Sequence, residues 1–72
     1  MALIVSSGAG QLRYVAVNTP DAGVIASTLA TEGRSFYCEP FPNDRTRFYV
    51  DNEHAARVCQ LAGVERSAIR KA

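Results

Sequence analysis

The side chains that most often catalyse reactions or hold metals are scarce in this chain of 72 residues, which has one histidine and two cysteines. His54 follows Glu53 with no His or Cys partner at ligand spacing, so we expect a solvated histidine in the first turn of a helix. Cys38 and Cys59 fall at positions predicted to face inward, where free cysteine acts as a small hydrophobe; a disulfide between them is the main alternative. We therefore predict no metal site and no cofactor.

Two other patterns resemble catalytic or nucleotide-binding features but have plainer interpretations. The acidic residues near positions 39–53 alternate with Arg45 and Arg47, which favours surface ion pairing over acid–base catalysis. The glycine-containing segment 7–11 leads into a strand and lacks the Lys-Ser/Thr ending of a phosphate-binding loop, so it is predicted to be a hairpin turn. The chain is predicted not to be an enzyme.

Tyrosine, arginine and one phenylalanine are the best candidates for binding chemistry, because tyrosine and arginine are enriched in binding hot spots. Strand alternation places the tyrosines on the face opposite the core, although the β-propensity of tyrosine alone also explains their presence in strands. Phe41 lies between two prolines, as either a rigid exposed tip or a residue folded over the core edge. The predicted partner-binding residues are Tyr14, Tyr37, Phe41, Arg45, Arg47 and Tyr49.

Two helices are predicted to support this surface. Thr19 is predicted to cap the first, with Pro20 as its first helical residue and Gly33 after its end. Asp51 or Asn52 is predicted to cap the second, which ends at Gly63. Their predicted inner faces consist of Ala22, Ile25, Ala26 and Leu29 in the first helix, and Ala55, Val58, Cys59 and Ala62 in the second.

Four strands are predicted, over residues 3–5, 12–17, 35–39 and 45–50, with a proline-containing turn at 40–44. Their inward-facing residues are predicted to be Val15, Val17, Phe36, Cys38, Phe48 and Val50. The two halves of the chain match in strand, cap and helix positions at one constant offset, the one that places Val15 on Phe48. We predict an α+β fold of tandem ββα units, ββαββα, with two helices packed on one face of a small, mainly antiparallel sheet.

The predicted domain covers residues 1–63 and is followed by a basic tail, 64–72, which forms a short helical turn or a loose end. The net charge is +1 and the pI about 7.8, so any nucleic-acid binding depends on local basic patches. We identify no targeting segment and no apolar run near the roughly 20 residues that a membrane span needs. A cytoplasmic location and no membrane partner are predicted.

Two resemblances extend this interpretation. Residues 13–17, 31–33 and 47–50, followed by an alanine-rich helix, resemble the SPOR type of peptidoglycan-binding repeat, although no glycine follows these strands. That resemblance implies a glycan-binding sheet face. In length and composition the chain is similar to small phage-encoded regulators that bind RNA polymerase, of the Xanthomonas phage antiterminator type, which implies a host protein complex as partner.

Three functions therefore stand as expectations. The first is a protein-binding regulator of a bacterial machine, with inhibition or antitermination of RNA polymerase as its best example. The second is a single-stranded nucleic-acid binder that stacks bases on its tyrosines, and the third is a SPOR-like glycan-binding module.

Overall fold

A computed structural model describes residues 12–72, so the predicted strand 3–5 and turn 7–11 lie outside the described residues. The main elements within this range are four strands and two helices, and a 3₁₀ turn, Arg66–Ala68, precedes the last strand. In chain order they are β1 (Leu12–Asn18), α1 (Thr19–Thr31), β2 (Tyr37–Phe41), β3 (Arg45–Asp51), α2 (Asn52–Ala62) and β4 (Arg70–Lys71).

The strands form one antiparallel sheet in the order β2-β3-β1-β4. Both helices pack against β1 and β3 and against each other, so among the described elements the opposite face of the sheet carries no helix. The predicted α+β class, with two helices on one face of an antiparallel sheet, is confirmed. From β1 to α2 the elements follow the predicted order, and β4 is added after them.

The core lies between the helices and the inner face of the sheet. Alternation along β1 and β3 buries Val15, Val17, Phe48 and Val50 completely or nearly so. Five helix residues that were predicted to face inward complete the buried cluster: Ile25, Leu29, Ala55, Val58 and Cys59. The remaining predicted inner residues are partly buried against this cluster: Ala22, Ala26, Phe36, Cys38 and Ala62. The predicted separation of inner and outer faces is therefore confirmed.

The start of α1 differs from the prediction by one residue. Asn18 is the N-cap, Thr19 is the first helical residue and Pro20 lies in the first turn. The Thr19 backbone N–H donates to the carbonyl of Asp44 at 2.7 Å, and its hydroxyl lies 2.9 Å from that of Thr46. Because Thr19 is tied to the β2–β3 turn and to β3, it joins the helix to the sheet instead of capping the helix.

Strand β2 covers Tyr37–Phe41, two residues later than the predicted strand 35–39. Pro40 is tolerated because β2 lies at the edge of the sheet, where a missing N–H costs no ladder hydrogen bond. The turn is correspondingly shorter than predicted, and Asn43 and Asp44 adopt left-handed conformations with φ of 65° and 63°. Asparagine and aspartate are the non-glycine residues that best tolerate this region.

The C-terminal tail was predicted to be either a short helical turn or a loose end. It forms the helical turn and, after it, a strand that was not predicted. After the 3₁₀ turn, Arg70 and Lys71 pair with Tyr14 and Arg13 of β1. Ile69, immediately before β4, is partly buried against the core. The tail therefore supplies the fourth strand of the sheet.

The constant offset between the two halves is present in the fold. Strands β1 and β3 have the same length. The number of residues from the start of β1 to the start of β3 equals the number from the start of α1 to the start of α2. The same spacing separates the first residues of β2 and β4, Tyr37 and Arg70. With β4 included, the described residues form two βαβ halves, the split βαβ arrangement. Strand β4 was not predicted because its two charged residues give no strand pattern of their own.

Candidate binding surface

A row of three tyrosines crosses the outer face of the sheet. Tyr14 on β1 lies opposite Tyr49 on β3, which lies opposite Tyr37 on β2. The ring centroids are 5.6 Å apart in the first pair and 6.0 Å in the second, with the rings tilted by 45° in both. Because alternation directs all three away from the core, this tyrosine row is a continuous aromatic strip on the face opposite the helices.

Arg47 holds a central position beside the tyrosine row. Its guanidinium carbon lies 4.2 Å from the centroid of the Tyr14 ring and 4.0 Å from that of Phe41. Nη1 donates to the Tyr49 hydroxyl at 3.1 Å, and this hydroxyl donates to Oε1 of Glu39 at 3.2 Å. The hydrogen bond with Tyr49 raises the pKa of Arg47. The guanidinium is therefore charged and held in one orientation by two rings and a hydroxyl.

Phe41 lies on this same face, so both of the positions predicted for it are wrong. It is half-buried, neither an exposed tip of the turn nor a residue folded over the core edge. The reason is that β2 extends as far as Phe41, so alternation places its ring on the side of Tyr37. The phenylalanine ring supports Arg47 from the β2 side.

Beside Tyr14 the surface forms a hollow of about 270 Å³. Arg45 borders it and donates from Nη2 to the backbone carbonyl of Ala16 at 3.4 Å, the long end of the hydrogen-bond range. Arg70 enters from β4, next to Tyr14 in the sheet. Among the described residues, three arginines and no carboxylate line the hollow; the full lining is Tyr14, Ala16, Arg45, Arg47, Ala68 and Arg70.

The structure brings all six predicted binding residues onto the outer face, in two neighbouring groups. The tyrosine row and Phe41 surround Arg47, and Arg45 borders the hollow. Arg70 was missed, because the tail was not predicted to pair with β1. A signal was available in the repeat: the offset that relates the two halves also places Tyr37, predicted to face outward on a strand, on Arg70.

The residues considered for catalysis or metal binding lie elsewhere. His54 is half-buried and not simply solvated: its Nδ1 lies 2.8 Å from Nη1 of Arg34 and accepts from it. Cys38 and Cys59 are unpaired, and burial raises the pKa of both thiols. Within residues 12–72, no group of three or more His, Cys, Asp or Glu side chains is arranged to hold a metal ion.

No protein-family model, curated protein or solved structure matches the chain. In the part of the chain from residue 12 onward, no helix is long and apolar enough to cross a membrane. The geometry of the outer sheet face is therefore the feature that bears on function.

Proposed function

We propose that the chain is a non-enzymatic binding module whose outer sheet face takes single-stranded nucleic acid. The observation that supports this best is the tyrosine row, which crosses three adjacent strands beside a hollow lined by three arginines. Bases stack on aromatic rings whatever their sequence, and guanidinium groups bind phosphates.

The position of the aromatic residues supports a base-stacking function. Tyr14 and Tyr49 lie on the two central strands of a four-stranded antiparallel sheet. RNA-recognition sheets likewise present aromatic residues from a four-stranded sheet, on which two or three bases stack. Tyr37 is 43% exposed and extends the row toward the edge strand. The likeness is one of architecture and of residue type on this face.

The charge distribution sets the expected strength of binding. With a net charge of +1, the protein has no general attraction for polyanions, so Arg45, Arg47 and Arg70 supply the phosphate contacts. Contacts to about three phosphates of a single strand give a slope of log affinity against log salt of roughly −2. Binding that combines this weak salt dependence with stacking on tyrosines is the expected signature.

Intrinsic fluorescence provides a direct test. The chain has no tryptophan, and its three tyrosines are those of the row, so tyrosine emission reports on this surface alone. Single-stranded RNA or DNA is expected to quench the emission in a saturable manner, and duplex of the same sequence is not. Absence of quenching and of any change in the anisotropy of a labelled oligonucleotide at low salt would exclude this function.

A matched pair of variants localises the binding. Tyr37→Ala removes one stacking ring and is expected to weaken binding by roughly tenfold, since one base stacked on an aromatic ring contributes about 1–3 kcal/mol. Val24→Ala removes a 70%-exposed apolar side chain from α1, in the helical layer, and is expected to leave binding unchanged. Equal losses in both variants would place the contact outside the outer face.

The second candidate is a protein-binding regulator in the bacterial cytoplasm, with RNA polymerase as the leading partner. The observation that favours it is the rigid arrangement of Arg47 between Tyr14 and Phe41, because preorganised tyrosine and arginine side chains lose little entropy on docking. Retention of purified bacterial RNA polymerase by the wild-type chain but not by Tyr37→Ala, without oligonucleotide binding, would select this function.

A further inference from the structure

We infer that the hollow lined by Arg45, Arg47 and Arg70 is a binding site for a terminal phosphate group, a phosphate monoester. The inference deepens the proposed function and depends on it only for the source of the phosphate, which is the end of a nucleic-acid strand. The chemistry of the site itself follows from the charges, the free donors and the position of the hollow.

The charges around the hollow favour an anion. Two arginines of β3 and one of β4 border the same small volume, and its described lining contains no carboxylate. Like charges held close together repel one another, and an anion between them removes that cost. Glu39, an acid on the same face, lies outside this lining but opposite Arg47 on β2, where it partly offsets the charge of that guanidinium and accepts from the Tyr49 hydroxyl.

The hollow also has hydrogen-bond donors to offer to an anion. Within residues 12–72 the Arg70 guanidinium makes no hydrogen bond or ion pair. Arg45 makes one long hydrogen bond, and Arg47 uses a single N–H toward Tyr49. A guanidinium offers five N–H donors in a planar fork that matches phosphate oxygens. Most of the donors around the hollow are therefore available to a ligand.

The guanidinium of Arg47 is also held in place at the edge of the hollow. The stacking contacts with Tyr14 and Phe41 fix the position of the Arg47 guanidinium before any ligand binds. A donor that is already in place loses less conformational entropy on binding than a free side chain. The site therefore has one preorganised arginine, Arg47, and two adaptable ones.

Charge distinguishes a terminal phosphate from an internal one. A phosphate monoester carries about −1.5 to −2 at pH 7, whereas a backbone diester carries about −1, so the monoester better balances three guanidinium groups. The hollow, at about 270 Å³, lies close to the lower limit of the roughly 300–1,000 Å³ typical of ligand sites and has room for a phosphate group.

The hollow lies at the Tyr14 end of the tyrosine row. In the sheet, Arg70 lies opposite Tyr14, so it follows directly after the last ring of the tyrosine row. A strand whose bases stack on Tyr37, Tyr49 and Tyr14 reaches the hollow with its next phosphate. If that phosphate is the end of the strand, its full charge enters the arginine cluster.

The test compares one short oligonucleotide in three forms, with a 5′-phosphate, with a 3′-phosphate and with neither, by fluorescence anisotropy on the full chain. One phosphorylated form is expected to bind roughly tenfold more tightly than the unphosphorylated form. Arg70→Gln is expected to abolish this preference. Lys71→Gln, which removes the same charge from the same strand but on the other face, is expected to keep it.

Arg45→Gln provides a second variant whose strand β3 lies inside the sheet, in case Arg70→Gln disturbs the short β4. If neither terminal phosphate improves binding, or if both glutamine variants keep the preference, the phosphate site is wrong even though oligonucleotide binding stands. A mononucleotide and its nucleoside test the opposite case. If the mononucleotide binds as tightly as any oligonucleotide and the nucleoside does not bind, the result supports the site and contradicts the proposed function.

Discussion

The two βαβ halves of the molecule share their buried residues in type but not their outer ones. At the constant offset between the halves, Val15 corresponds to Phe48 and Val17 to Val50 on the inner face, and all four are buried. On the outer face the same offset relates tyrosines of the first half to arginines of the second: Tyr14 to Arg47, and Tyr37 to Arg70. Packing requires similar side chains in both halves, whereas at these two outer positions the first half has an aromatic residue and the second half a cationic one; Tyr49, on β3, corresponds to Ala16.

The two halves have the same spacing between their strands, although their helices and connecting segments differ in length. Helix α1 has 13 residues and α2 has 11, and the segment between α2 and β4 is longer than that between α1 and β2. The 3₁₀ turn occupies part of this longer segment and brings Ala68 to the hollow. The second half therefore borders the hollow with a 3₁₀ turn, whereas the equivalent residues 33–35 of the first half form none.

The largest expected difference between the halves is in the core. Phe48→Ala should lower the free energy of unfolding by about 3–5 kcal/mol, since the ring is fully buried. Val15→Ala, at the equivalent position, should cost about 2 kcal/mol because it removes only two methyl groups. Urea denaturation followed by circular dichroism measures both. Equal costs would mean that the two halves contribute equally to the core, contrary to the observed difference in buried volume.

On the outer face, substitutions of the equivalent residues Tyr37 and Arg70 are expected to change nucleic-acid binding in different ways. Tyr37→Ala should weaken nucleic-acid binding roughly tenfold at every salt concentration, because stacking is not ionic. Arg70→Gln should make the slope of log affinity against log salt less steep by about 0.7, the contribution of one phosphate contact to a single strand. Titrations at several salt concentrations separate the two. A change of slope in Tyr37→Ala would contradict the division of the face into aromatic and cationic parts.

The helix ends provide a comparison in which the halves should agree. Gly33 and Gly63 follow α1 and α2 with φ of 75° and 72°, a region that costs other L-residues about 1–2 kcal/mol. A Cβ added at either position would meet no atom within 4 Å, so the backbone conformation alone sets the cost. Gly33→Ala and Gly63→Ala should therefore destabilise the fold by similar amounts in thermal unfolding. A much larger loss for one would indicate that the two helix ends are not equivalent.

How much of the fold and the surface was predictable depends on how local each feature is. The inner faces follow from alternation and helical spacing, so Val15, Phe48 and Val58 were assigned correctly from the sequence. Strand β4 was not predicted, because a two-residue Arg-Lys strand has no apolar pattern of its own and pairs with β1; the offset between the halves, which places Tyr37 on Arg70, was the signal for it. The outward position of the three tyrosines was predicted from strand alternation, whereas their alignment into a row and the hollow, which needs Arg70, were not.

Gly23 tests whether the first helix can be made more like the second. It lies inside α1, whereas the equivalent position in α2 is Ala56. A Cβ at Gly23 meets nothing within 4 Å, so Gly23→Ala should raise the free energy of unfolding by roughly 0.5–1 kcal/mol through helix propensity alone. The matched reverse change, Ala56→Gly, should lower it by a similar amount. A destabilising Gly23→Ala would reveal a packing role for this glycine.

The smallest expected effect concerns the ion-pair cluster that joins the halves. Glu32, after α1, accepts hydrogen bonds from Arg57 of α2 and from Arg34, which lower its pKa from 4.5 to about 2. Because the folded state favours the ionised carboxylate, this contribution is fully present above about pH 4.5 and is lost as the pH falls toward 2. The side chains are largely solvent-screened, so the effect on the melting temperature should be small.

Glu32→Gln should therefore lower the melting temperature slightly at pH 7, and the difference from the wild type should vanish as the pH falls from about 4.5 to about 2. Glu65→Gln, which removes an exposed carboxylate outside the cluster, is the control and should show no such convergence. A wild-type advantage over Glu32→Gln that persists unchanged at pH 2 would show that Glu32 joins the two halves by packing and not by charge.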